Sequence, residues 1–186
     1  MSGPWKELLP VSAEVGGVEY DIRSDYRAAL DLCAALSDPE LDGQERAAVA
    51  LEIFYPDAAA IPPEHYEEAV AQCLRFLSGG VEEEPRPGPR LVDWSQDFPY
   101  IAAPINRVMG QEIRSAEYLH WWTFLAAYYE IGECTFSQIV SIRDKLARGK
   151  ALDKSERAWY ARNRHLVDFK RKYTEREEAV LSPWLR

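Results

Sequence analysis

Two short runs of alternating apolar and polar positions open the chain. Val11, Ala13 and Val15 alternate, then Val18, Tyr20 and Ile22, with Gly16-Gly17 between them. Alternation sends successive side chains to opposite faces of a strand. Two glycines permit the positive φ angles of a tight type I′ turn, so residues 11–22 are predicted to form a β-hairpin. From residue 24 the period lengthens to that of a helix. Tyr26, Ala29, Leu30, Cys33 and Leu36 form one stripe, with Ser24 as the predicted N-cap and Asp38-Pro39 as the stop. A second helix is predicted over about 44–54, with Ala47, Leu51 and Phe54 on one face. Pro56 ends it by pushing the preceding residue out of the α region. A third begins at Pro62-Pro63, where a missing amide hydrogen costs nothing. It carries Tyr66, Ala69, Val70, Cys73 and Leu77 and closes at Gly79-Gly80.

Residues 79–90 hold three glycines, three prolines and three consecutive glutamates, which read as a linker. Beyond it Asp97 is the predicted cap of a helix carrying Ile101, Ile105 and Val108. Pro104 is expected to kink that helix or delay its start, and Gly110 closes it. The stretch 118–131 (YLHWWTFLAAYYEI) is the most aromatic in the chain. Tyr118, Trp122, Leu125 and Tyr129 share one helical face; Trp121, Phe124, Tyr128 and Ile131 share another. A helix apolar on two faces must be covered on both, by its own domain or by a partner. Ser115 is its predicted cap, with Glu117 in the first turn, and Gly132 its end. Residues 135–138 have the form of a capping box, opening a helix with Phe136, Ile139, Val140 and Leu146 that stops at Gly149. Asp153 and Glu156 mark the last helix. Trp159, Leu166, Phe169 and Tyr173 are its apolar positions, and Arg157, Arg162, Arg164, Lys170, Arg171 and Lys172 lie on its other faces.

The predicted architecture is mainly α: an N-terminal hairpin, then about six to seven helices in two helical lobes. The first lobe would span 1–80, the linker 81–92 and the second lobe 93–176, with 177–186 a flexible tail. Three scattered cysteines, Cys33, Cys73 and Cys134, give neither a disulfide framework nor zinc spacing, which suits a reducing cytosol. Neither a secretory start nor a membrane-spanning run is evident in the sequence, so no membrane partner is expected.

Charge changes the picture more than composition does. The net value of −9 hides a split: residues 1–142 carry 9 Lys and Arg against 24 Asp and Glu, and residues 143–186 carry 13 against 7. An acidic body with a basic end suits internal docking, or head-to-tail contact between copies. The same acidity argues against a nucleic-acid partner, since it repels phosphates over about 8 Å at physiological salt.

Catalytic patterns are absent. There is no phosphate-binding glycine loop, no nucleophile elbow and no cysteine in a nucleophile context. Glu117-x-x-His120 has the form used in di-iron helical bundles, but that site needs a second such pair, and none exists here. A metal-dependent helical enzyme using these two residues is therefore the weakest reading, and no cofactor or metal is expected. The large aromatic residues read first as core and second as a partner-binding surface.

Several of these stretches resemble the bacteriophage Gp-fifteen family of phage and prophage tail gene clusters. They are VEYDIRSDYRAAL, AVALEIFYPDAAAIPPEHYEEAV, AEYLHWWTFLAAYYEI, FSQIVSIRDKL and SERAWYARNR, spanning roughly residues 9–173. Ala103-Pro104 departs from the family's uninterrupted helix, and the end beyond Tyr173 is longer. The resemblance implies a non-enzymatic protein of tail morphogenesis, acting as an assembly chaperone for the tape-measure or tail-tube protein. A structural component retained in the virion is the alternative. Its place would be the host cytoplasm or the virion tail, and its partners phage tail proteins or further copies of itself as a homo-oligomer. Under that implication Trp121, Trp122, Phe124 and Tyr128 supply apolar contact or the core behind it. Arg157, Arg162 and Arg164 supply charged contact to an acidic partner.

Overall fold

The computed structural model describes residues 8–81 and 88–170. Residues 82–87 of the predicted linker, with the acidic run at 82–84, lie outside the described residues, as do Arg171, Lys172, Tyr173 and the tail 177–186. Among the described residues two strands and seven α-helices make up a mainly α fold with an N-terminal hairpin. Strands β1 (Ser12–Val15) and β2 (Val18–Asp21) pair antiparallel with Val15 opposite Val18, and both turn glycines have positive φ, +59° and +76°. Gly16 has a second reason to lack a side chain: a Cβ there would lie 2.6 Å from His65 Nε2.

Helices α1 (Tyr26–Leu36), α2 (Gly43–Phe54) and α3 (Tyr66–Leu77) follow, close to their predicted spans. The cap of α1 is Asp25, whose carboxylate accepts from the Arg27 amide at 2.9 Å, and not Ser24. Ser24 is buried, with its hydroxyl bonded to the Tyr118 hydroxyl at 2.7 Å. Helix α4 (Trp94–Met109) starts earlier than predicted, capped by Asp93. Asp97 lies inside it, where it accepts from the Asp93 amide at 2.9 Å. Pro104 does not delay the start. It sits inside the helix with its ring buried, so packing helps offset the cost of about 3 kcal/mol that a proline carries there.

The aromatic helix α5 (Trp121–Tyr129) is shorter than predicted and excludes Tyr118 and Ile131. A long-range pairing explains the late start. The Tyr26 amide donates to the Leu119 carbonyl at 2.9 Å, the Trp121 amide to the Ser24 carbonyl at 2.8 Å, and the Leu119 amide to the Asp25 carboxylate at 2.9 Å. Those bonds hold the chain extended through His120, which becomes the cap in place of Ser115: its Nδ1 accepts from the Trp122 amide at 3.0 Å. Glu117 therefore lies outside the first turn. Helix α6 (Thr135–Ala147) has its capping box one residue earlier than predicted, on Cys134 and Ser137. Helix α7 (Lys154–Val167) starts where Asp153 and Glu156 marked it, the two forming a capping box, but ends at Val167.

One buried cluster draws on both sides of the 79–90 segment, from Val15 in the hairpin to Phe136 in α6. At its centre four rings stack in a column. Phe98, Tyr26, Phe124 and Trp121 follow one another at centroid spacings of 6.5, 5.0 and 5.4 Å, with planes within 16° of parallel. The column joins α4, α1 and α5, so a helix distant in sequence becomes the common wall of the core. A second, smaller cluster of Ile142, Leu152 and Val167 holds α6 and α7 together, with Trp159 and Tyr160 packed on it.

Candidate interaction site beside the doubled tryptophan

The two adjacent indoles do different work. Trp121 is 1% exposed and belongs to the core; Trp122 is half-buried. Both reach back to α3. The Trp121 Nε1–H donates to the Leu77 carbonyl at 3.0 Å, and the Trp122 Nε1–H to the Phe76 carbonyl at 2.9 Å. The last carbonyls of a helix have no partner within it, and here two indoles supply donors. The turn that follows leaves room for them. Gly79 and Gly80 have φ of +73° and +77°, and the Gly80 amide donates to the Arg75 carbonyl at 3.0 Å. A Cβ at Gly80 would lie 2.7 Å from Trp122 Cη2, so the glycine serves both turn and indole.

The exposed edge of Trp122 lines an open groove of about 590 Å³, walled also by Leu9, Ile22, Phe54, Arg75 and Phe76. On its rim Leu8 is 92% exposed and Leu9 47%. His120 packs edge-on against Phe76 and Trp122 with both ring nitrogens engaged. Nδ1 accepts from Trp122, so Nε2 is the nitrogen that donates to the Pro10 carbonyl, at 2.9 Å. That use, and the extended backbone at 117–120, removes the helical face on which Glu117 and His120 would have met a metal. Among the described residues no cluster of three His, Cys, Asp or Glu is placed to hold one.

The other predicted contact residues separate into two groups. Phe124 is fully buried in the column, and Tyr128 is half-buried between Trp94 and Phe136. Arg157, Arg162 and Arg164 are exposed on α7, far in sequence from the groove. Arg164 pairs with Asp168 at 2.7 Å; Arg157 and Arg162 have no partner among the described residues.

Arg143 is a residue that the sequence reading passed over. It is 4% exposed, and all five of its N–H donors are used. Two go to Asp97 at 2.6 and 3.0 Å; the others go to the carbonyls of Leu91, Leu166 and Val167. Its guanidinium carbon also lies 4.1 Å from the centre of the Phe169 ring. One side chain thus ties the exit of the linker, α4 and the end of α7 to α6. Its signal was an arginine inside the apolar stripe of α6, four residues after Ile139.

The profile of a family described as Bacteriophage Gp15 protein matches residues 5–169. The chain belongs to that family. The match takes in the hairpin, the doubled tryptophan and α7, and marks the protein as phage-related. No curated protein and no solved structure matches the chain significantly. Among the described residues, no helix is long and apolar enough to cross a membrane.

Proposed function

We propose that the chain is a non-enzymatic protein of phage tail morphogenesis, an assembly chaperone that binds a tail protein in the host cytoplasm. The observation that carries this reading is the groove beside Trp122. An apolar wall, an indole edge and two leucines open to solvent form a surface that a folded phage protein gains from covering. An amphipathic helix, such as a long tape-measure protein presents, lays apolar side chains into a groove of this kind. Trp121, Phe124 and Tyr128 belong to the core behind the surface, and Phe76 and His120 hold Trp122 in place. Arg157, Arg162 and Arg164 lie on a separate face and supply charged contact.

Co-expression with the tape-measure and tail-tube proteins of the same gene cluster, followed by pull-down, tests the proposal. The expected result is a complex that survives purification and is lost in Leu9→Asp, a change at an exposed position that leaves the core alone. No complex with either tail protein would end it. Mass spectrometry of purified particles separates chaperone from virion component: absence supports the first, a stoichiometric amount the second.

A further inference from the structure

Two charge-bearing faces of the molecule are left without each other. Described residues 8–81 carry 14 acidic residues against 4 basic ones, and residues 148–170 carry 7 basic against 3 acidic. Across the wider charge split the Arg143–Asp97 pair ties α6 to α4. Among the described residues no ion pair joins residues 148–170 to residues 8–81. Those of α7 run from Arg164 to Asp168 beside it and from Glu156 to Lys145 of α6.

Lys154, Arg157 and Arg162 are exposed on α7, while Trp159, Tyr160 and Val167 belong to the small core; His165, also exposed, follows a kink at Asn163. The acidic face is shaped. Between the end of α2 and the start of α3 lies a shallow pocket of about 420 Å³ that includes Tyr55, Pro56 and Tyr66, with Glu52 and Asp57 among its lining residues. Tyr66 is 42% exposed, and Glu64 and Glu67 flank it in sequence. The side-chain carboxylates of Glu52, Asp57, Glu64 and Glu67 have no partner among the described residues. An aromatic ring beside free carboxylates is a seat for a guanidinium, which stacks on the ring while its edges donate to oxygen. The hairpin carries Glu14, Glu19 and Asp21, and is held beside α3 by the Gly16 amide, which donates to Glu68 at 2.9 Å.

We propose that the outward face of α7 docks on the Tyr66 pocket of a second copy, so that the protein self-associates head to tail through opposite charge. Each copy supplies both members of the contact in equal number, and the acidic remainder of the chain repels phosphate polymers from the same helix. A contact between two different faces leaves one of each free at the ends. Copies joined in this way close into a ring or extend, an arrangement suited to an assembly intermediate. The inference goes beyond the tail-protein reading and does not depend on the Trp122 groove.

Sedimentation velocity of the purified full chain, without any tail protein, is the test. Association is expected at low salt and should weaken about tenfold or more when salt is raised tenfold, as exposed charge pairs are screened. The pair Arg157→Glu with Arg162→Glu should leave monomer, and so should Glu64→Lys with Glu67→Lys. Mixing the two variants should restore association, because every contact in the mixture again joins opposite charges. A wild-type monomer at low salt overturns the proposal. So does association indifferent to salt and charge reversal. Failure of the tail-protein pull-down leaves this result untouched, and the reverse also holds.

Discussion

The two ends of the molecule are held by different physics. From the hairpin to α5, large rings are removed from water and stacked, with Tyr26, Phe54, Tyr55, Trp121 and Phe124 all nearly inaccessible. At α6 and α7 the apolar cluster has three buried members among the described residues, and the Arg143 guanidinium and the Lys145–Glu156 pair tie the elements together. The burial of apolar rings is non-directional and tolerates small shifts. A buried ion pair is directional, and its loss leaves a charge stranded. The first kind of core sets compactness; the second sets where a helix end must lie.

The sharpest way to break this comparison is at Arg143. Arg143→Met should destabilise the protein by about 3–5 kcal/mol, because Asp97 remains buried without its partner. The double change Arg143→Met with Asp97→Leu should lose less than that single change. Chemical denaturation of the set measures it, and equal losses would deny the pair its role. Next comes Trp121. Trp121→Phe keeps the stack but leaves the Leu77 carbonyl without its indole donor, at a cost of about 2 kcal/mol. Trp122→Phe should cost about half as much, since water reaches the half-buried site. Thermal unfolding of the two variants gives the ratio.

Alkaline titration sharpens the contrast further. Burial pushes the Cys33 thiol up to about 11, the Cys73 thiol to about 12 and the Tyr128 hydroxyl to about 12, and it raises Tyr55 as well. Above pH 9 to 10 the unfolded chain has released these protons while the folded chain keeps them. Stability is therefore fully present below that range and falls as pH rises toward 12. Unfolding followed from pH 8 to 12 should show the fall, and Tyr128→Phe should make it shallower. The smallest effect lies at Cys134, whose Sγ is a weak cap, 3.5 Å from the Ser137 amide. Cys134→Ser should stabilise α6 by roughly 0.5 kcal/mol, read as a small rise in melting temperature.

Much of the fold was legible because its signals are local. The Gly16-Gly17 turn and the helix-ending glycines at 79, 80, 110, 132 and 149 all adopt positive φ, as their positions implied. The capping box at Asp153 and Glu156 needed only four residues of sequence. The errors fall where the partner is distant. Ser24 and Asp25 are equally good caps by type, and the choice between them turned on Leu119 and Tyr118, 94 residues further along. Asp97 looked like a cap until Arg143 claimed it. Of the candidate contact residues, Phe124 and Trp121 proved to be core, and only burial could separate them from Trp122.

The periodicity of apolar residues, and the few places where a glycine or a capping side chain must stand, determined that this protein is mainly helical with a hairpin at its start. Those signals act over one or two turns, so the chain carries them without reference to its fold. Tertiary structure alone decided where the aromatic helix begins, which indole meets solvent and which arginine is buried. Each of those outcomes depends on a hydrogen-bond partner or a covering surface supplied by a remote part of the chain.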